Sequence, residues 1–466
     1  MPLLTIPSGN VASAIGGGYE VANSCRFNDD DNSKMVVTPS SSGTNAGKKY
    51  TLSAWVKLGN IGVDKTIWSC SSDTYIYISG AGVITCNFRR NGSTNYEYGS
   101  SRKLRDPSAW YHIVLRVDTT DSTDADKVQV YVNNQEDTPA TTTYQNMADD
   151  YETGANVSGV EQRIGVYSDG SLDFDGYMCE LMMVDNQSLA PTEFGEYDED
   201  TPTVWKPKDI SGISVGTNGY YLDFEDSSNL GNNAAGSGSA DLTETNLAAT
   251  DQSLDTCTLN GCTLNPLDVN PASAGDTFSE GNLKLATNSN SNAAGSRSTF
   301  AFTKGKWYVE SKYTSSTAWN GVMATDTTIT GSMTTGTIAW YQGRTLYVDG
   351  SNSGTWGSAV SAGDIVGIAL DMDNSRVTIS QGGQWWGGSS FNQSQPHTFQ
   401  NLTSGYDTWS FLCRSGSATS TSEWNFGSPP FAISSSNSDA NGYGNMEYTV
   451  PTDYYIPNSA NLAEFG

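Results

Sequence analysis

The sequence predicts an all-β protein: two antiparallel β-sandwiches in tandem, joined by a Gly/Ser/Asn-rich connector. Three observations carry this. The first is the stretch 364–384, Asp-Ile-Val-Gly-Ile-Ala-Leu-Asp-Met-Asp-Asn-Ser-Arg-Val-Thr-Ile-Ser-Gln-Gly-Gly-Gln. Val366, Ile368 and Leu370 alternate along one strand. Asp373-Asn374 supplies a turn, because these side chains bond their own backbone and tolerate left-handed φ, and Val377 and Ile379 alternate on the way back. The pattern describes a hairpin with one buried and one solvated face. The second is a looser echo upstream: Ile113, Leu115 and Val117 alternate, an acidic loop from Thr119 to Asp126 follows, and Val128, Val130 and Val132 alternate in turn. The third is that no stretch sustains a 3.6-residue period, while turn formers, led by 48 Gly, are abundant.

Composition narrows the function. A chain of 466 residues has room for two or three domains. Aromatic content of 11%, with 12 Trp and 24 Tyr, is that of a folded chain and not of a disordered one. The net charge of −27 repels nucleic acid, and it repels anionic membranes and polysaccharides unless cations bridge them. The seven Cys, at 25, 70, 86, 179, 257, 262 and 413, form no Cys-x-x-Cys pair, so no zinc or redox site is indicated. They read as small buried thiols, with Cys70–Cys86 or Cys257–Cys262 as the disulfide alternatives. The opening Met-Pro-Leu-Leu-Thr-Ile-Pro has neither a basic region nor a long apolar core, so neither a signal peptide nor a membrane span is expected.

In chain order, residues 1–18 read as a lead-in ending in a Gly joint. A first sandwich is expected over 19–200. Ser24 to Pro39 forms an edge strand broken by Asn28-Asp29-Asp30-Asp31-Asn32, and Tyr50 to Lys57 a clean alternating strand with Leu52, Ala54 and Val56 inward. Further strands are expected at 67–78, 82–89, 110–118, 127–133, 162–166 and 176–185, and one short helix at 187–194. Residues 201–272 read as the connector, with a strand near Tyr220 and a flexible tract at 231–239. A second sandwich is expected over 273–432 and a short aromatic tail over 433–466.

Several phrases resemble known families. Tyr-Thr-Leu-Ser-Ala-Trp-Val (50–56), Trp-Tyr-His-Ile-Val-Leu (110–115), Val-Gln-Val-Tyr-Val-Asn (128–133) and the run from Arg163 to Leu181 resemble a concanavalin A-like jelly roll of the laminin G or pentraxin kind. That resemblance implies two sheets packed face to face, with the first and last strands adjacent. Gly-Lys-Trp-Tyr-Val-Glu-Ser (305–311), the run 363–374 and Trp-Asn-Phe-Gly-Ser-Pro-Pro-Phe (424–431) resemble the SPRY (B30.2) sandwich, whose loops bind peptides or proteins. The whole layout resembles the tail-fibre or appendage proteins of marine tailed phages.

Catalytic signals are thin. His112 points outward on its strand and His397 lies in a polar loop, so both read as surface residues. No Gly-x-Ser-x-Gly elbow or His-Glu-x-x-His helix is present. Concanavalin-like glycosidases carry Glu-x-Asp-x-x-Glu; Glu196-Tyr-Asp198 begins that way and lacks the last Glu. No cofactor is required. Calcium is the one the acidic loops would take, through Asp29, Asp31, Asp173 and Asp175, with Asp30 alongside; a solvated acidic turn is the alternative. Trp385-Trp386, between Gly pairs, is the candidate ligand or partner contact, with a hydrophobic plug as the alternative.

The function these features imply is a non-enzymatic virion surface protein of a phage, a tail fibre or appendage serving attachment and assembly. A lectin-like receptor-binding module for host glycans is the alternative, and a polysaccharide-degrading enzyme the lesser one. The expected partners are other virion proteins, copies of the same chain (a trimer among the options) and host surface glycans or proteins, without nucleic acid or membrane insertion. The expected location is the virion exterior, after assembly in the host cytoplasm.

Overall fold

The computed structural model describes residues 18–466 apart from 72–73, 91–94, 271–274, 288–294, 315–317, 331–332, 343 and 416–419. The predicted lead-in over 1–17 lies outside the described residues. The chain divides into two compact units, the first ending at Thr258 and the second running from Leu259 to Gly466.

The strands of the first unit are β1 (Ser24–Phe27), β2 (Lys34–Val37), β3 (Lys49–Leu58), β4 (Lys65–Cys70), β5 (Thr74–Ile78), β6 (Val83–Phe88), β7 (Tyr96–Lys103), β8 (Trp110–Asp118) and β9 (Val128–Val132). They continue as β10 (Gln135–Glu136), β11 (Pro139–Thr142), β12 (Gln162–Ile164), β13 (Gly176–Asp185), β14 (Gly195–Tyr197), β15 (Trp205–Pro207), β16 (Tyr220–Leu222), β17 (Thr243–Thr245) and β18 (Gln252–Ser253). One sheet runs β10-β9-β8-β3-β13-β1-β18, with β16 also on β13; the other runs β11-β7-β6-β5-β4-β12-β2-β17. The inward residues are those the alternation marks: Leu52, Ala54 and Val56 on β3, Ile113, Leu115 and Val117 on β8, and the three valines of β9. They pack against Trp68, Ile76, Ile84 and Tyr98 of the second sheet. The first strand lies beside β13, with Cys25 opposite Met178. Cys70 and Cys86 stand on β4 and β6 with β5 between them and are offset by two residues, so ladder spacing keeps them more than roughly 9–10 Å apart and beyond disulfide reach.

Two expectations are corrected here. Residues 201–258 are not a connector but part of the first sandwich: β16, β17 and β18 extend its two sheets, and Tyr220, Leu222, Phe224, Leu230 and Leu242 enter its core. The tract at 231–239 is tied down by Asn233, whose Oδ1 accepts from the Tyr221 amide at 3.0 Å and whose Nδ2 donates to the Ser237 and Ser239 carbonyls. Periodicity marks the short run Tyr220, Leu222 and Phe224 but not which sheet it joins, and elsewhere the segment contributes single apolar residues between turns. The expected helix at 187–194 is a single 3-10 turn, Pro191–Glu193.

In the second unit one sheet orders Leu264–Val269, Gly295–Ser298, Trp409–Ser415, Ala318–Ala324, Thr337–Tyr341, Thr345–Val348 and Ser351–Thr355. The other includes Lys284–Thr287, Ser420–Asn425, Lys306–Tyr313, Ile365–Asp371, Arg376–Gln381 and Gln384–Trp386 as neighbours. The predicted hairpin is present, with Ile368 opposite Ile379 and Leu370 opposite Val377. Its left-handed residue is Ser375 (φ 51°), one position after the predicted pair, and Asp371 closes the turn by accepting from the Asn374 amide at 3.1 Å.

That hairpin does not have a wet face. Residues 433–466 are no loose tail: Met446, Val450, Tyr454 and Ile456 cover Tyr308, Ala369 and Trp385 on the outer side of the sheet. Glu310 holds the segment in place. Its carboxylate accepts from the amides of Glu447 (2.9 Å) and Tyr448 (2.8 Å), from the Tyr308 hydroxyl (2.9 Å) and from Asn425 (3.2 Å). The segment ends in the helix Ser459–Phe465, capped by Asn458, which accepts from the Asn461 amide at 2.9 Å.

Candidate ligand-binding site

The outer face of the first unit's β10–β18 sheet carries the most developed site. Antiparallel register sets Trp55 opposite His112 and Lys57 opposite Trp110, all on the side away from the core. The β14–β15 hairpin folds over part of this face and brings Trp205 down onto it. Gly195 makes the approach possible, since a Cβ there would lie 2.6 Å from the Trp205 ring.

His112 was expected on the surface and is instead fully buried. Its ring stacks on Trp55 at 4.7 Å and on Trp205 at 6.0 Å. The Trp205 indole N–H can only donate, and it lies 2.9 Å from His112 Nδ1. Nδ1 is therefore the acceptor, and Nε2 carries the proton that it donates to Ser53 Oγ at 2.9 Å. Burial pushes the imidazole pKa down to about 3, so it stays neutral. This Ser–His pair runs the wrong way for nucleophilic catalysis, because Nε2 has no lone pair with which to take the serine proton. His112 is a buried pillar beneath two tryptophans. His397 is exposed, as expected.

Beside the pillar the sheet opens into a basin of about 710 Å³, lined by Trp55, Trp110, Trp205, Tyr197, Val204, Asn133, Gln135, Arg102 and Cys257, with Val132, Pro202 and Thr203 completing it. Tyr197 and Val204 are 38% and 37% exposed, and both stand on its rim. Tyr197 meets Trp205 edge-on at 5.1 Å, and its hydroxyl accepts from Gln135 Nε2 at 2.7 Å. The Asn133-Asn134 turn between β9 and β10 has φ of 50° and 61°, the left-handed pair that a tight two-residue hairpin requires. Asn133 Oδ1 accepts from the His112 amide at 2.8 Å, which anchors the turn to the basin floor. Arg102 donates to the Val132 carbonyl at 3.1 Å. The lining thus combines flat aromatic faces with amide and guanidinium groups, and among its described residues there is no carboxylate. Periodicity missed this site because its members come from seven separate strands and the turns between them. The local signal was there: Trp55 and Trp110 occupy outward positions where alternation asks for polar residues.

Next to the basin Glu180 occupies a bulge in β13, with φ 49° and a register shift between Cys179 and Met182. Tyr221 and Tyr19 donate to its carboxylate at 2.9 and 3.4 Å. Burial outweighs these bonds and lifts the Glu180 pKa to about 7.

The acidic loops behave differently. Asp29, Asp31 and Asp173 share one neighbourhood: burial, then the charges of Asp29 and Asp31, lift the Asp173 pKa to about 6. Asn60 ties to Asp29 at 2.9 Å. Asp175 is fully buried and accepts from the Asn60 amide at 2.6 Å. Although Asp173 Oδ1 and Asn60 Oδ1 lack hydrogen-bond partners, no three carboxylate, imidazole or thiol groups among the described residues converge as a metal set. Of the predicted quartet, Asp29, Asp31 and Asp173 lie together, while Asp175 is committed to the Asn60 amide. Asp198, the second carboxylate of the truncated glycosidase pattern, accepts from the amides of Asp200 (3.0 Å) and Thr201 (2.8 Å) and from Lys206 (3.3 Å), and so closes a turn.

Trp385 and Trp386 are 2% and 6% exposed. Trp385 packs edge-on against Tyr308 at 6.0 Å under the C-terminal segment, and Trp386 stacks on Trp356 at 5.8 Å and against Phe391 at 5.3 Å. The hydrophobic-plug alternative describes them: the segment 433–466 covers Trp385, and Trp356 and Phe391 enclose Trp386.

A family model described as the concanavalin A-like lectin/glucanases superfamily matches residues 30–193. The matched stretch lies within the first unit, a sandwich of two antiparallel sheets. The second unit is also a two-sheet sandwich, whose closing Asn425-Phe426-Gly427 stacks Phe426 on Trp424 at 5.5 Å and turns the chain through the bond from the Gly427 amide to Asn425 at 2.9 Å. Among solved structures the chain is similar to the SPRY domain of human HERC1, at 12% identity and TM-score 0.28, over 34% of this chain and 96% of that one. It is also similar to a pentraxin of Limulus polyphemus, at 16% identity and TM-score 0.28, over 37% and 80%. A candidate carbohydrate-binding protein from Bacteroides ovatus aligns at 16% identity and TM-score 0.31, over 44% of this chain and about half (53%) of its own length. No curated protein matches the chain in sequence.

Proposed function

We propose that the first unit is a non-catalytic glycan-binding module that takes a saccharide in the Trp110–Tyr197–Trp205 basin. One observation carries the reading: the accessible rings of Tyr197 and Trp110 stand beside the amide groups of Asn133 and Gln135 on a rigid sheet, with no carboxylate among the described lining residues. Sugar C–H faces pack on aromatic rings, and the hydroxyls at their edges need bidentate polar partners such as Asn133 and Gln135. Glycoside hydrolysis needs two carboxylates across the scissile bond, and the lining supplies none. The superfamily description of the matching model, which covers lectins and glucanases, agrees with a carbohydrate ligand. Screening the full chain on a glycan array tests this, followed by titration of the best hit against Tyr197→Ala. Saturable binding weakened by the substitution supports the reading. Binding that ignores the basin, or release of reducing ends from a polysaccharide, ends it.

In the same proposal the chain serves attachment at the exterior of a phage particle, as a homo-oligomer among other virion proteins. This rests on the order of its sequence phrases and on its acidic, loop-rich surface. Mass spectrometry of purified particles and sedimentation of the isolated protein are the corresponding measurements.

A further inference from the structure

The wrap-around segment of the first unit leaves β13 after Asp185, adds strands to both sheets, and returns to the sheet it left. At its end Cys257 lies against Cys179 of β13, Sγ to Sγ 3.5 Å, although the two are 78 positions apart in sequence. Neither sulfur is bonded, and the sequence had offered Cys257 a different partner, Cys262, which instead enters the core of the second unit. The surroundings are apolar, with Val21, Trp55 and Trp205 clustered around Cys179 and Cys257 packed against them. Residues on either side of Cys257 are anchored: Asp255 takes Lys57 at 2.6 Å and the Trp110 indole at 3.0 Å, and Thr258 accepts from the Val21 amide at 3.0 Å. The two sulfurs are thus held facing each other by bonds that involve neither of them.

We propose that Cys179 and Cys257 form a disulfide when the protein meets a low-molecular-weight disulfide, and that this bond locks the wrap-around segment onto β13 beneath the basin. Closing the gap to the bonded distance takes a movement of roughly 1.5 Å. Cys257 is the sulfur a reagent meets first, since it lines the open basin while Cys179 is fully buried. The Cys257 thiolate attacks one sulfur of the reagent, forms a mixed disulfide and expels one thiolate, which takes up the proton Cys257 lost. The Cys179 thiolate then attacks the Cys257 sulfur and expels the second, which takes up the proton of Cys179. Two protein thiols are oxidised and one small disulfide is reduced to two thiols. Burial holds both thiols above their ordinary range, so the exchange is slow in the folded, reduced protein and fastest during folding.

The experiment folds the full chain with oxidised or reduced glutathione. The bond predicts two fewer titratable thiols in denaturant after oxidation, and a single cross-linked peptide pair containing residues 179 and 257. It also predicts a rise in the first unit's melting temperature on the order of 10 °C, reversed by reductant. Cys179→Ser and, at the less buried position, Cys257→Ala should each remove the cross-link and the rise, while their reduced forms melt close to the reduced parent. An unchanged thiol count, a link to any other cysteine, or a disulfide between two chains overturns the pairing. A cross-link that forms without moving the melting temperature overturns the locking role. None of these readouts requires a sugar, so the result stands apart from the glycan reading.

Discussion

The two units each set a tryptophan on the outer side of a sheet, Trp110 in the first and Trp385 in the second, and the two have opposite fates. In the first unit Trp110, Trp205 and Tyr197 line an open basin beside amide groups. In the second, Trp385 and Trp386 are sealed, one by the C-terminal segment and the other by Trp356 and Phe391. The residues are alike in sequence; what differs is the cover. The β14–β15 hairpin over the first sheet leaves Tyr197 and Val204 exposed at a rim, whereas residues 446–456 lie across Trp385. An aromatic pair between glycines therefore reports a site only when the segment that could cover it is accounted for.

Breaking the closed cluster should have the largest effect. Trp385→Ala opens a cavity under the C-terminal segment and should cost the second unit about 3–5 kcal/mol in denaturant unfolding, with glycan binding unchanged. Binding lost at full stability would reverse the assignment of the two clusters.

The next effect sharpens the first unit through its buried acid. Glu180 faces Tyr19 and Tyr221, with Asp223 and Glu225 contributing charge nearby, and its folded pKa of about 7 is raised above the ordinary 4.5. A raised acid stabilises the fold below its unfolded pKa and loses that contribution as pH rises through the folded one. Stability from this group should thus decline between pH 4.5 and 7, by about 3 kcal/mol in all. Unfolding at pH 5 and pH 8 should show a smaller difference for Glu180→Gln than for the parent; equal differences would mean that Glu180 is not the group involved.

How much of this was legible follows from what periodicity can see. Alternation marked β3, β8, β9 and the 365–381 hairpin, because each strand buries one continuous face. It placed His112 outward correctly but not under Trp205, since that contact joins residues 93 positions apart. It also treated the segments at 201–258 and 433–466 as linker and tail. Apart from the short run Tyr220–Phe224, their apolar residues come mostly singly among Gly, Asn and Ser, and they are buried by partners distant in sequence. The acidic quartet was legible as charge, but charge alone could not distinguish Asp175, clamped on a backbone amide, from a free ligand.

A smaller effect tests the open cluster directly. Tyr197→Ala removes an exposed ring that closes the basin and should weaken glycan binding by roughly tenfold, while unfolding shifts by less than about 1 kcal/mol. The smallest concerns calcium. With Asp175 committed to the Asn60 amide, adding a chelator should leave the melting temperature of the first unit where it was, and a clear drop would show that the acidic loops close around an ion in solution.

The interlacing of chain ends in both units bears on how the protein is made. Ser24, in the first strand, pairs with Ser253, and the Lys306 carbonyl waits for the Tyr455 amide at 2.9 Å. Neither body can finish its sheets until nearly its whole length has left the ribosome, so each nascent sandwich spends most of its synthesis with an uncovered apolar face. Closure of such distant pairs is slow, and rapid translation at high expression would favour aggregation of half-made chains over misfolding of finished ones.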